Sequence, residues 1–256
     1  MENNWSGLSI AEIRKKLAAM DAEAQRAACE TLKGDARKGV VALAEKTLRA
    51  QLRQEKEEAR LKQLWYFENM AYEKGYQAVV GTDEVGRGPL AGPVVAAAVV
   101  LVPGTLFYGI NDSKKLSEKR REALAAEIRD KALAVAIAEV SPADIDRLNI
   151  LHAAEKAMAD AIGQLPGADY VLVDGQNQLH IDLPCQNIIG GDSLSISIAA
   201  ASIVAKVYRD HFMVELDKHY PGYGFAKNKG YGTADHYAAL ATLGPSPIHR
   251  RSFRLK

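Results

Sequence analysis

The sequence predicts an α/β fold, in which a mixed five-stranded sheet is flanked by helices and preceded by an N-terminal helical extension. From about residue 76 onward, short apolar runs first cluster and then alternate with helical segments, which is typical of a sheet covered on both faces. Residues 1–70 instead carry apolar side chains at helical spacing. We therefore expect two domains, residues 1–70 and residues 71–256, the second ending in a basic helical region.

The N-terminal extension is predicted to form a helical hairpin. Ser9 and Glu12 have the spacing of a capping box, which opens a first helix. Gly34-Asp35 predicts a break and a new helix start, from which a second helix continues to about residue 70. The charged middle of that helix, residues 49–60, should be solvated. Its apolar stripe consists of Val41, Leu48 and Leu52.

Five apolar runs further along have the length and composition of strands. They cover residues 76–80, 94–102, 133–140, 170–173 and 186–189. Ser117 is a predicted N-cap for a helix that ends near residue 131, and Ser141 followed by Pro142 opens another that continues to about residue 162. A long alanine-rich helix is expected over residues 193–219, and Thr233 caps a last one.

Composition excludes several classes of protein. No stretch of about 18 apolar residues is free of charge, so we expect no transmembrane helix. The N-terminus has neither the basic segment nor the apolar core of a signal peptide, and we expect a cytoplasmic protein. Cys29 and Cys185 lie far apart and form no CxxC motif, so neither a disulfide framework nor a zinc site is predicted.

Charge is distributed unevenly although the whole chain has a net charge of only +1. Residues 71–205 carry a net charge of −6, and residues 206–256 carry +5. Five of the ten tyrosines also lie in the basic tail. Basic residues interleaved with aromatic ones suit a phosphate backbone with stacked sugars or bases, although a solvated surface would have the same composition.

Four acidic residues lie at the ends of the apolar runs. Asp83 and Glu84 follow the first run, Asp174 follows the fourth directly, and Asp192 comes shortly after the fifth. Carboxylates at the ends of neighbouring strands can converge at one edge of a sheet, where they repel one another at neutral pH. Divalent cations relieve that repulsion, and ligation by oxygen alone favours Mg²⁺ or Mn²⁺. Two such ions can activate a water and stabilise the leaving oxygen in phosphodiester cleavage.

Each acid also has an ordinary structural explanation. Asp192 could cap the helix that follows it, Asp174 could belong to a turn with the next glycine, and Asp83 and Glu84 could be exposed charges. Consecutive strand residues point to opposite faces, so Asp83 and Glu84 cannot both reach one metal from a regular strand. Either the backbone twists there, or Glu84 acts through its carbonyl or a water; we expect Asp83 to be the bridging ligand.

A glycine-rich loop follows the first pair of acids. Its spacing over Gly86, Gly88 and Gly92 is G-x-G-x-x-x-G, and a strand rather than a helix comes next, so a dinucleotide-binding interpretation fails. The chain has neither a GxxxxGK[ST] phosphate loop nor a GxSxG nucleophile motif.

Several longer motifs occur in order along residues 76–253. The first is Gly81-Thr82-Asp83-Glu84-Val85-Gly86-Arg87-Gly88-Pro89-Leu90-Ala91-Gly92-Pro93-Val94. The others are Asn111-Asp112-Ser113-Lys114-Lys115-Leu116-Ser117, Val173-Asp174-Gly175, Gly191-Asp192, the segment 198–210, Lys229-Gly230-Tyr231-Gly232-Thr233 and His249-Arg250-Arg251-Ser252-Phe253. Together they resemble the signatures of bacterial ribonuclease HII. One departure is Asn228, where many members have His, which puts a catalytic role at that position in doubt. Residues 1–70 resemble the extension of some members from Gram-positive bacteria.

This resemblance implies an RNase H-like fold and a metal-dependent endonuclease acting on RNA paired with DNA or embedded in duplex DNA. Cleavage would fall on the 5′ side of a ribonucleotide and leave a 3′-hydroxyl and a 5′-phosphate. The implied metal ligands for Mg²⁺ or Mn²⁺ are Asp83, Glu84, Asp174 and Asp192. The implied substrate contacts are Gly86, Arg87 and Gly88 at the 2′-hydroxyl, Tyr208 on the next sugar, and Ser113, Lys114 and Lys115 at phosphates. We expect a monomer without a membrane partner.

Other interpretations remain open from the residues alone. Tyr208 could be a partly buried helix residue with its hydroxyl bonded, and Ser113 with the two lysines after it could be a solvated loop. A resolvase-like or transposase-like nuclease would also need clustered acids, but it would lack the glycine-arginine-glycine loop and Tyr208. A binding module without catalysis would need neither Asp174 nor Asp192.

Overall fold

The computed structural model describes residues 5–256 and contains ten α-helices and five strands within that range. The chain divides into two compact units, one ending at Arg60 and the other extending from Leu61 to Lys256. Within residues 5–256, no helix is both long enough and apolar enough to span a bilayer.

The first unit is built from three helices. They are α1 (Ile10–Ala18), α2 (Ala22–Leu32) and α3 (Lys38–Leu64), the last of which continues into the second unit. The capping box is confirmed, because Ser9 and Glu12 bond reciprocally at the start of α1. The predicted two-helix hairpin is wrong. A break follows α1, and Asp21 caps α2 by accepting the Ala24 N–H at 2.8 Å.

The core of the first unit includes Leu48 of the predicted α3 stripe, which packs against it, but its fully buried members on α3 differ from the prediction. Val40 and Ala44 are fully buried, whereas Leu52 is 49% exposed. The predicted stripe was offset because the small Ala44 was not counted as a core residue. The charged middle of α3 is mostly exposed, as expected. The remaining buried core residues are Ile13 and Leu17 of α1, Ala28, Cys29 and Leu32 of α2, and Trp5, which precedes α1.

The second unit contains the predicted mixed sheet of five strands. The strands are β1 (Val79–Val85), β2 (Val94–Leu101), β3 (Ala132–Val140), β4 (Tyr170–Asp174) and β5 (Cys185–Ile188). Their order across the sheet is β3-β2-β1-β4-β5. The three strands β1, β2 and β3 pair antiparallel, whereas β4 pairs parallel with both β1 and β5. The mixed α/β architecture is thereby confirmed.

Seven helices complete this unit. They are α4 (Tyr66–Glu73), α5 (Glu118–Lys131), α6 (Pro142–Leu148), α7 (Ile150–Ile162), α8 (Ile196–His219), α9 (Phe225–Asn228) and α10 (Ala234–Leu243). The predicted caps at Ser117, Ser141 and Thr233 are all formed. The single helix predicted after Ser141 is broken into α6 and α7 at Asn149, whose φ of 67° lies in the left-handed region.

Alternating side chains of β2 fill cores on both faces of the sheet. Val95, Ala97 and Val99 belong to the core with α5 and α8, while Val94, Ala96 and Ala98 belong to the core with α7. Helix α8 lies unusually close to β1. A Cβ at Gly81 would stand 2.2 Å from the carbonyl carbon of Ser197, so only glycine fits there.

Helix α4 is anchored beneath the start of α8. The Glu68 carboxylate is 1% exposed and accepts hydrogen bonds from the Ser195 hydroxyl and from both the backbone N–H and the hydroxyl of Ser197. Trp65 donates its indole N–H to the Thr105 carbonyl at 3.1 Å. Residues 61–73 therefore belong to the core of the second unit, and a boundary at residue 70 falls within α4.

Candidate active site

Two of the predicted acids lie side by side on neighbouring parallel strands. Thr82 of β1 pairs in register with Val173 of β4, so the following residues, Asp83 and Asp174, occupy equivalent positions. Side chains at equivalent positions of adjacent strands point to the same face of a sheet. For Asp83 this is the face of Gly81 and hence of α8, where the Ser202 hydroxyl hydrogen bonds to its carboxylate.

Glu84 reaches the same place from a regular strand. Asp83 and Glu84 lie within β1 rather than after it, and their pairing with β2 continues through Val85 without a register shift. No bulge therefore interrupts β1 at these two residues. The Glu84 Oε1 accepts a hydrogen bond from the Arg87 guanidinium at 3.1 Å. Its Oε2 is buried and has no hydrogen-bond partner within residues 5–256.

Asp192 lies on a short 3₁₀ turn, Gly191–Ser193, that precedes α8. It does not cap α8, because Ser195 does so by accepting the Ile198 N–H. The turn is tied to β4 by the Gly191 N–H, which donates to Asp174 Oδ1 at 2.7 Å. The Asp174 carboxylate therefore bonds to the turn that precedes α8 and not to the turn that follows β4.

All four acids line one cavity of ≈260 Å³. The remaining wall is formed by Val85, Ser113, Lys114, Ser202, Lys206 and Tyr231. Ser113 is buried, and its hydroxyl lies 3.1 Å from that of Ser202. Of the three residues expected at phosphates, Ser113 and Lys114 reach the cavity. Lys115 is outside its wall, and its ammonium lies 3.6 Å from the Asp112 carboxylate.

Burial and mutual repulsion make Asp83, Glu84 and Asp192 hard to ionise. Burial raises the pKa of Asp83 well above its usual value, and the charges of Glu84 and Asp174 raise it further. Burial also raises the pKa of Glu84, although the neighbouring Arg87 opposes that shift. The pKa of Asp192 is raised by burial and then by nearby acids. The cavity is therefore a place where added positive charge is stabilised.

The donor set suits a hard divalent cation. Its members are carboxylate oxygens, which Mg²⁺ and Mn²⁺ prefer, and the buried Glu84 Oε2 has a lone pair that nothing in the described chain uses. Within residues 5–256, no three His, Cys, Asp or Glu side chains already form a compact coordination cluster. The four acids nevertheless fit a divalent cation, because each supplies carboxylate oxygens and all four line the same cavity.

The glycine loop next to the acids leaves the backbone N–H groups of Arg87 and Gly88 without an acceptor in the described chain. Gly86 has a φ of +93°, and a Cβ there would lie 2.3 Å from Arg209 Nε, so glycine is required by the fold. At Gly88 the nearest atom to a Cβ would be Tyr231 Cε1 at 3.8 Å, so the protein itself has room for a side chain. Within residues 5–256, the backbone N–H groups of Arg87 and Gly88 find no acceptor.

The tyrosine at the cavity is Tyr231, not Tyr208. Tyr231 lies beside Gly88 in the cavity wall and is 41% exposed. Tyr208 is packed against the core between α8 and the sheet and stacks on Phe212, with ring centroids 6.3 Å apart. Burial raises the pKa of its hydroxyl, and Glu139 on β3 adds to that effect. The position of Tyr208 matches the partly buried helix residue that the sequence also allowed.

A buried histidine pair supports the Tyr231 segment. The Ser246 N–H donates to His249 Nδ1 at 2.9 Å, so the neutral His249 carries its proton on Nε2. That proton points to His236 Nε2 at 3.0 Å, and His236 Nδ1 in turn donates to the Tyr231 carbonyl at 2.9 Å. Burial lowers the pKa of both rings, that of His249 to about 4. Both rings are therefore neutral at physiological pH.

Asn228 has a structural role in the same segment. It is 9% exposed, donates to the Tyr223 carbonyl at 2.7 Å and accepts the Gly230 N–H at 2.8 Å. Both ends of its amide are thus used to close the turn before Tyr231, and it is outside the wall of the acid-lined cavity.

Sequence reasoning missed three polar residues of the cavity wall: Ser202, Lys206 and Tyr231. Ser202 and Lys206 are one helical turn apart on α8, which places them on one face, and their motif was recognised without a role for either. The Lys206 ammonium donates to Asp210 at 2.6 Å, and burial lowers its pKa. For Tyr231 the available signal was its place in the Lys229-to-Thr233 motif.

The chain matches known proteins over both of its units. A family model described as ribonuclease HII matches residues 80–256, and a model of the ribonuclease HII N-terminal domain matches residues 9–72. A ribonuclease HII from Geobacter metallireducens is 57% identical over 75% of this chain and 90% of its own. One from Clostridioides difficile is 48% identical over 96% of both chains.

A solved structure supports the fold. The ribonuclease H2 of Pyrococcus horikoshii superimposes with a TM-score of 0.60 over 70% of this chain and 95% of its own, at 24% identity, so the RNase H-like fold is confirmed. The clustered acids alone had also allowed a transposase-like nuclease or a binding module without catalysis. Family models covering both units, together with relatives matched over nearly their full length, decide between these: the chain belongs to the ribonuclease HII family of hydrolytic endoribonucleases.

Proposed function

We propose that this enzyme hydrolyses the phosphodiester bond on the 5′ side of a ribonucleotide, either in an RNA/DNA hybrid or embedded in duplex DNA. The products would be a 3′-hydroxyl and a 5′-phosphate. The observation that carries this proposal is one cavity in which four carboxylates stand beside a loop with two free backbone N–H groups and an exposed tyrosine. We propose that it acts as a monomer in the cytoplasm.

Asp83, Glu84, Asp174 and Asp192 would hold the divalent cations, Mg²⁺ or Mn²⁺. Bound there, the cations would activate the attacking water and stabilise charge on the leaving oxygen. The chain's own contribution is to hold the acids in place. The Gly191 N–H fixes one oxygen of Asp174, the Ser202 hydroxyl bonds Asp83, and Arg87 bonds one oxygen of Glu84.

The rest of the cavity would bind the nucleic acid. The loop Gly86-Arg87-Gly88 presents its backbone to the 2′-hydroxyl, and the open space at Gly88 allows that approach. Ser113 and Lys114, which line the cavity, would contact a phosphate, while Lys115 outside the wall would add a more distant charge.

The decisive experiment is cleavage of three matched duplexes that contain one ribonucleotide, a full RNA strand, or no ribonucleotide. With Mg²⁺ or Mn²⁺ we expect the first two to be cut and the all-DNA duplex to be spared. End analysis of the first product should give a 3′-hydroxyl directly 5′ of the ribonucleotide, and a chelator should abolish cutting. Cleavage of the all-DNA duplex at a similar rate would reject the proposal.

We predict that Tyr231 rather than Tyr208 stacks on the sugar next to the ribonucleotide. Aromatic stacking on nucleic acid is worth ~1–3 kcal/mol, so Tyr231→Ala should lower cleavage of a single-ribonucleotide duplex about 10–100-fold. Tyr208→Ala should chiefly lower the melting temperature, because that ring is packed in the core. Tyr231→Phe, which keeps the ring, is the control and should retain activity. A larger loss of cleavage in Tyr208→Ala than in Tyr231→Ala would instead support Tyr208 as the residue that stacks on the sugar.

We further propose that the N-terminal extension, expected over residues 1–70, adds phosphate contacts outside the cleavage site. Many of its basic residues are paired with acids, such as Arg26 with Glu55 and Arg60 with Glu57. Arg53 and Lys56 form no ion pair within the described chain and stand on the exposed part of α3. They are therefore free to neutralise phosphates.

The test of this proposal is the salt dependence of duplex binding. The double variant Arg53→Gln/Lys56→Gln should lower the slope of log affinity against log salt by roughly 1–2, because each neutralised phosphate contributes ~0.9. Its melting temperature should not change. Deleting residues 1–60, which spares Trp65 and Glu68, should lower the slope further and leave the cleavage position unaltered. A slope identical to that of the full chain in both proteins would mean that the extension does not contact the substrate.

A further inference from the structure

Two arginines are fully buried next to the glycine loop. Arg209 of α8 and Arg250 near the C-terminus are both 0% exposed and are among the largest buried side chains. Each guanidinium donates three hydrogen bonds, and all six go to backbone carbonyls. Burying a charge is costly unless it is well bonded, so the carbonyl positions are held strongly by these two cations.

The partners of Arg250 are concentrated at the start of the loop. Its Nη2 donates to the Gly86 carbonyl at 2.6 Å, its Nη1 to the Arg87 carbonyl at 3.0 Å and its Nε to the Gly92 carbonyl at 2.9 Å. Arg209 holds the other side, with bonds to the carbonyls of Ala91, Pro93 and Lys229. Burial lowers the pKa of Arg250 to about 9, so the side chain is still charged at neutral pH.

Fixing these carbonyls also fixes the amides that follow them. No peptide bond in the described chain is cis, and in a trans peptide the N–H of the next residue points opposite to the carbonyl. Because the Gly86 and Arg87 carbonyls point inward to Arg250, the N–H groups of Arg87 and Gly88 point away from it. A peptide whose carbonyl is bonded to a cation is also a stronger N–H donor.

Two other amides of the loop are already used. The Leu90 N–H donates to the Gly230 carbonyl at 2.8 Å, and the Gly92 N–H donates to the Ile248 carbonyl at 2.9 Å. Within residues 5–256, the Arg87 and Gly88 N–H groups have no such acceptor. The loop therefore has bonded amides at Leu90 and Gly92, where it packs on the protein, whereas the Arg87 and Gly88 amides, next to Glu84 and Tyr231 of the cavity wall, are unbonded.

We propose that Arg250 is a positioning residue that holds the Arg87 and Gly88 amides as a paired donor site for the ribose 2′-hydroxyl oxygen. This inference rests on the proposed cleavage at a ribonucleotide. Arg250 itself does not touch the substrate; it acts through the carbonyls of the two peptides whose amides do. A lysine cannot replace it, since an ammonium lacks the planar fork that bonds three carbonyls at once.

The first test compares the affinities of two duplexes that differ only in one 2′-hydroxyl, measured with a chelator so that no cleavage occurs. Wild-type protein should prefer the ribonucleotide duplex. Arg250→Lys and Arg250→Gln should bind the all-DNA duplex as tightly as the wild type does. Their preference for the ribonucleotide duplex should fall roughly tenfold, because two hydrogen bonds to the 2′-hydroxyl are weakened.

The matched control is Asp146→Ala. Asp146 accepts hydrogen bonds from the backbone N–H groups of Arg251 and Ser252, so the variant loosens the same C-terminal segment but leaves the carbonyl bonds of Arg250 intact. It should lower the melting temperature and keep the ribose preference. Loss of the preference in Asp146→Ala to the same extent would overturn the proposal, because any local loosening would then suffice.

The second test uses wild-type protein and does not depend on folding of a variant. Amide hydrogen exchange of Arg87 and Gly88 should be fast in the free protein and should slow when the ribonucleotide duplex, but not the all-DNA duplex, is added. Leu90 and Gly92 should be protected throughout. Two results would overturn this inference alone. One is fast exchange of the Arg87 and Gly88 amides in the ribonucleotide complex, and the other is an undiminished preference for the ribonucleotide duplex in both Arg250 variants. Equal binding of both duplexes by the wild type would reject the proposed function as well.

Discussion

Asp83→Asn should abolish cleavage and at the same time stabilise the protein in the absence of divalent cations. Asp83 is 7% exposed and faces the charges of Glu84 and Asp174, which repel its own. Asparagine keeps the oxygen that accepts the Glu84 N–H at 2.7 Å but removes the charge. Losing a ligand charge at the reaction centre should lower the cleavage rate about 10³-fold, while removing the repulsion contributes on the order of 1 kcal/mol of stability.

The pH dependence of this stabilisation has a defined sign. A carboxyl whose pKa is raised in the folded state contributes its stability at low pH, below its ordinary pKa, and loses it as the pH rises through the folded value. The wild type is therefore penalised at neutral pH, and Asp83→Asn is not. We expect its melting temperature to exceed that of the wild type by about 2–4 °C at pH 7. The difference should shrink toward pH 4.

Addition of Mg²⁺ provides the complementary measurement. The cation should raise the melting temperature of the wild type by binding to the folded state, and it should raise that of Asp83→Asn much less. Asp235→Asn is a matched control, since Asp235 has a side chain that is 79% exposed and pairs with Lys227 away from the cavity. It should retain both cleavage and the Mg²⁺ response. Metal-dependent turnover by Asp83→Asn close to that of the wild type would remove Asp83 from the reaction centre.

Most of the secondary structure was predictable because its signals are local. The caps at Ser117, Ser141 and Thr233 bond within a few residues of themselves, and the apolar runs have the period of strands. The breaks that were missed each depend on one residue whose conformation is not encoded by periodicity. Asn149 adopts a φ of 67° between α6 and α7, and Asp21 caps a helix inside an otherwise continuous helical pattern.

The acids of the candidate site were predictable from their strands, but their geometry was not. Register between β1 and β4 places Asp83 beside Asp174, and register is a property of two chain segments rather than of one. The surroundings of Tyr208 and Tyr231 were not predictable for a related reason. Both lie in recognised motifs, and only the packing of α8 on the sheet shows that Tyr208 faces the core. Arg250 bonds to Gly86, 164 positions before it, which no local pattern could indicate.

Replacing Gly86 with alanine should mainly lower stability, whereas replacing the nearby Gly88 with alanine should mainly lower activity. Gly86→Ala should unfold at a much lower temperature, because its φ is +93° and the new Cβ would lie 2.3 Å from Arg209 Nε and 2.9 Å from the Pro93 carbonyl oxygen. Strain and overpacking of this kind cost roughly 2–4 kcal/mol, equivalent to a fall of about 5–15 °C in melting temperature.

Gly88→Ala should have the opposite profile. Its φ is not in the left-handed region, and the nearest atom to the new Cβ would be 3.8 Å away, so the fold accepts the methyl group and the melting temperature should not fall. The methyl group would instead occupy the space through which the ribose approaches the Arg87 and Gly88 amides. A displacement of the substrate by about 1 Å can cost 10²-fold in rate, and we expect a loss of that order in cleavage of a single-ribonucleotide duplex.

Gly104→Ala is the control that distinguishes a general glycine effect from one at the loop. Gly104 also has a left-handed φ, +78°, but no atom lies within 4 Å of its Cβ position and it is remote from the acids in sequence. It should lose about 1 kcal/mol of stability and no activity. Full activity in Gly88→Ala would show that the substrate does not approach this loop. If instead Gly86→Ala and Gly88→Ala lost stability to the same extent, the space seen at Gly88 would not be available to a side chain, and its glycine would be explained by folding alone.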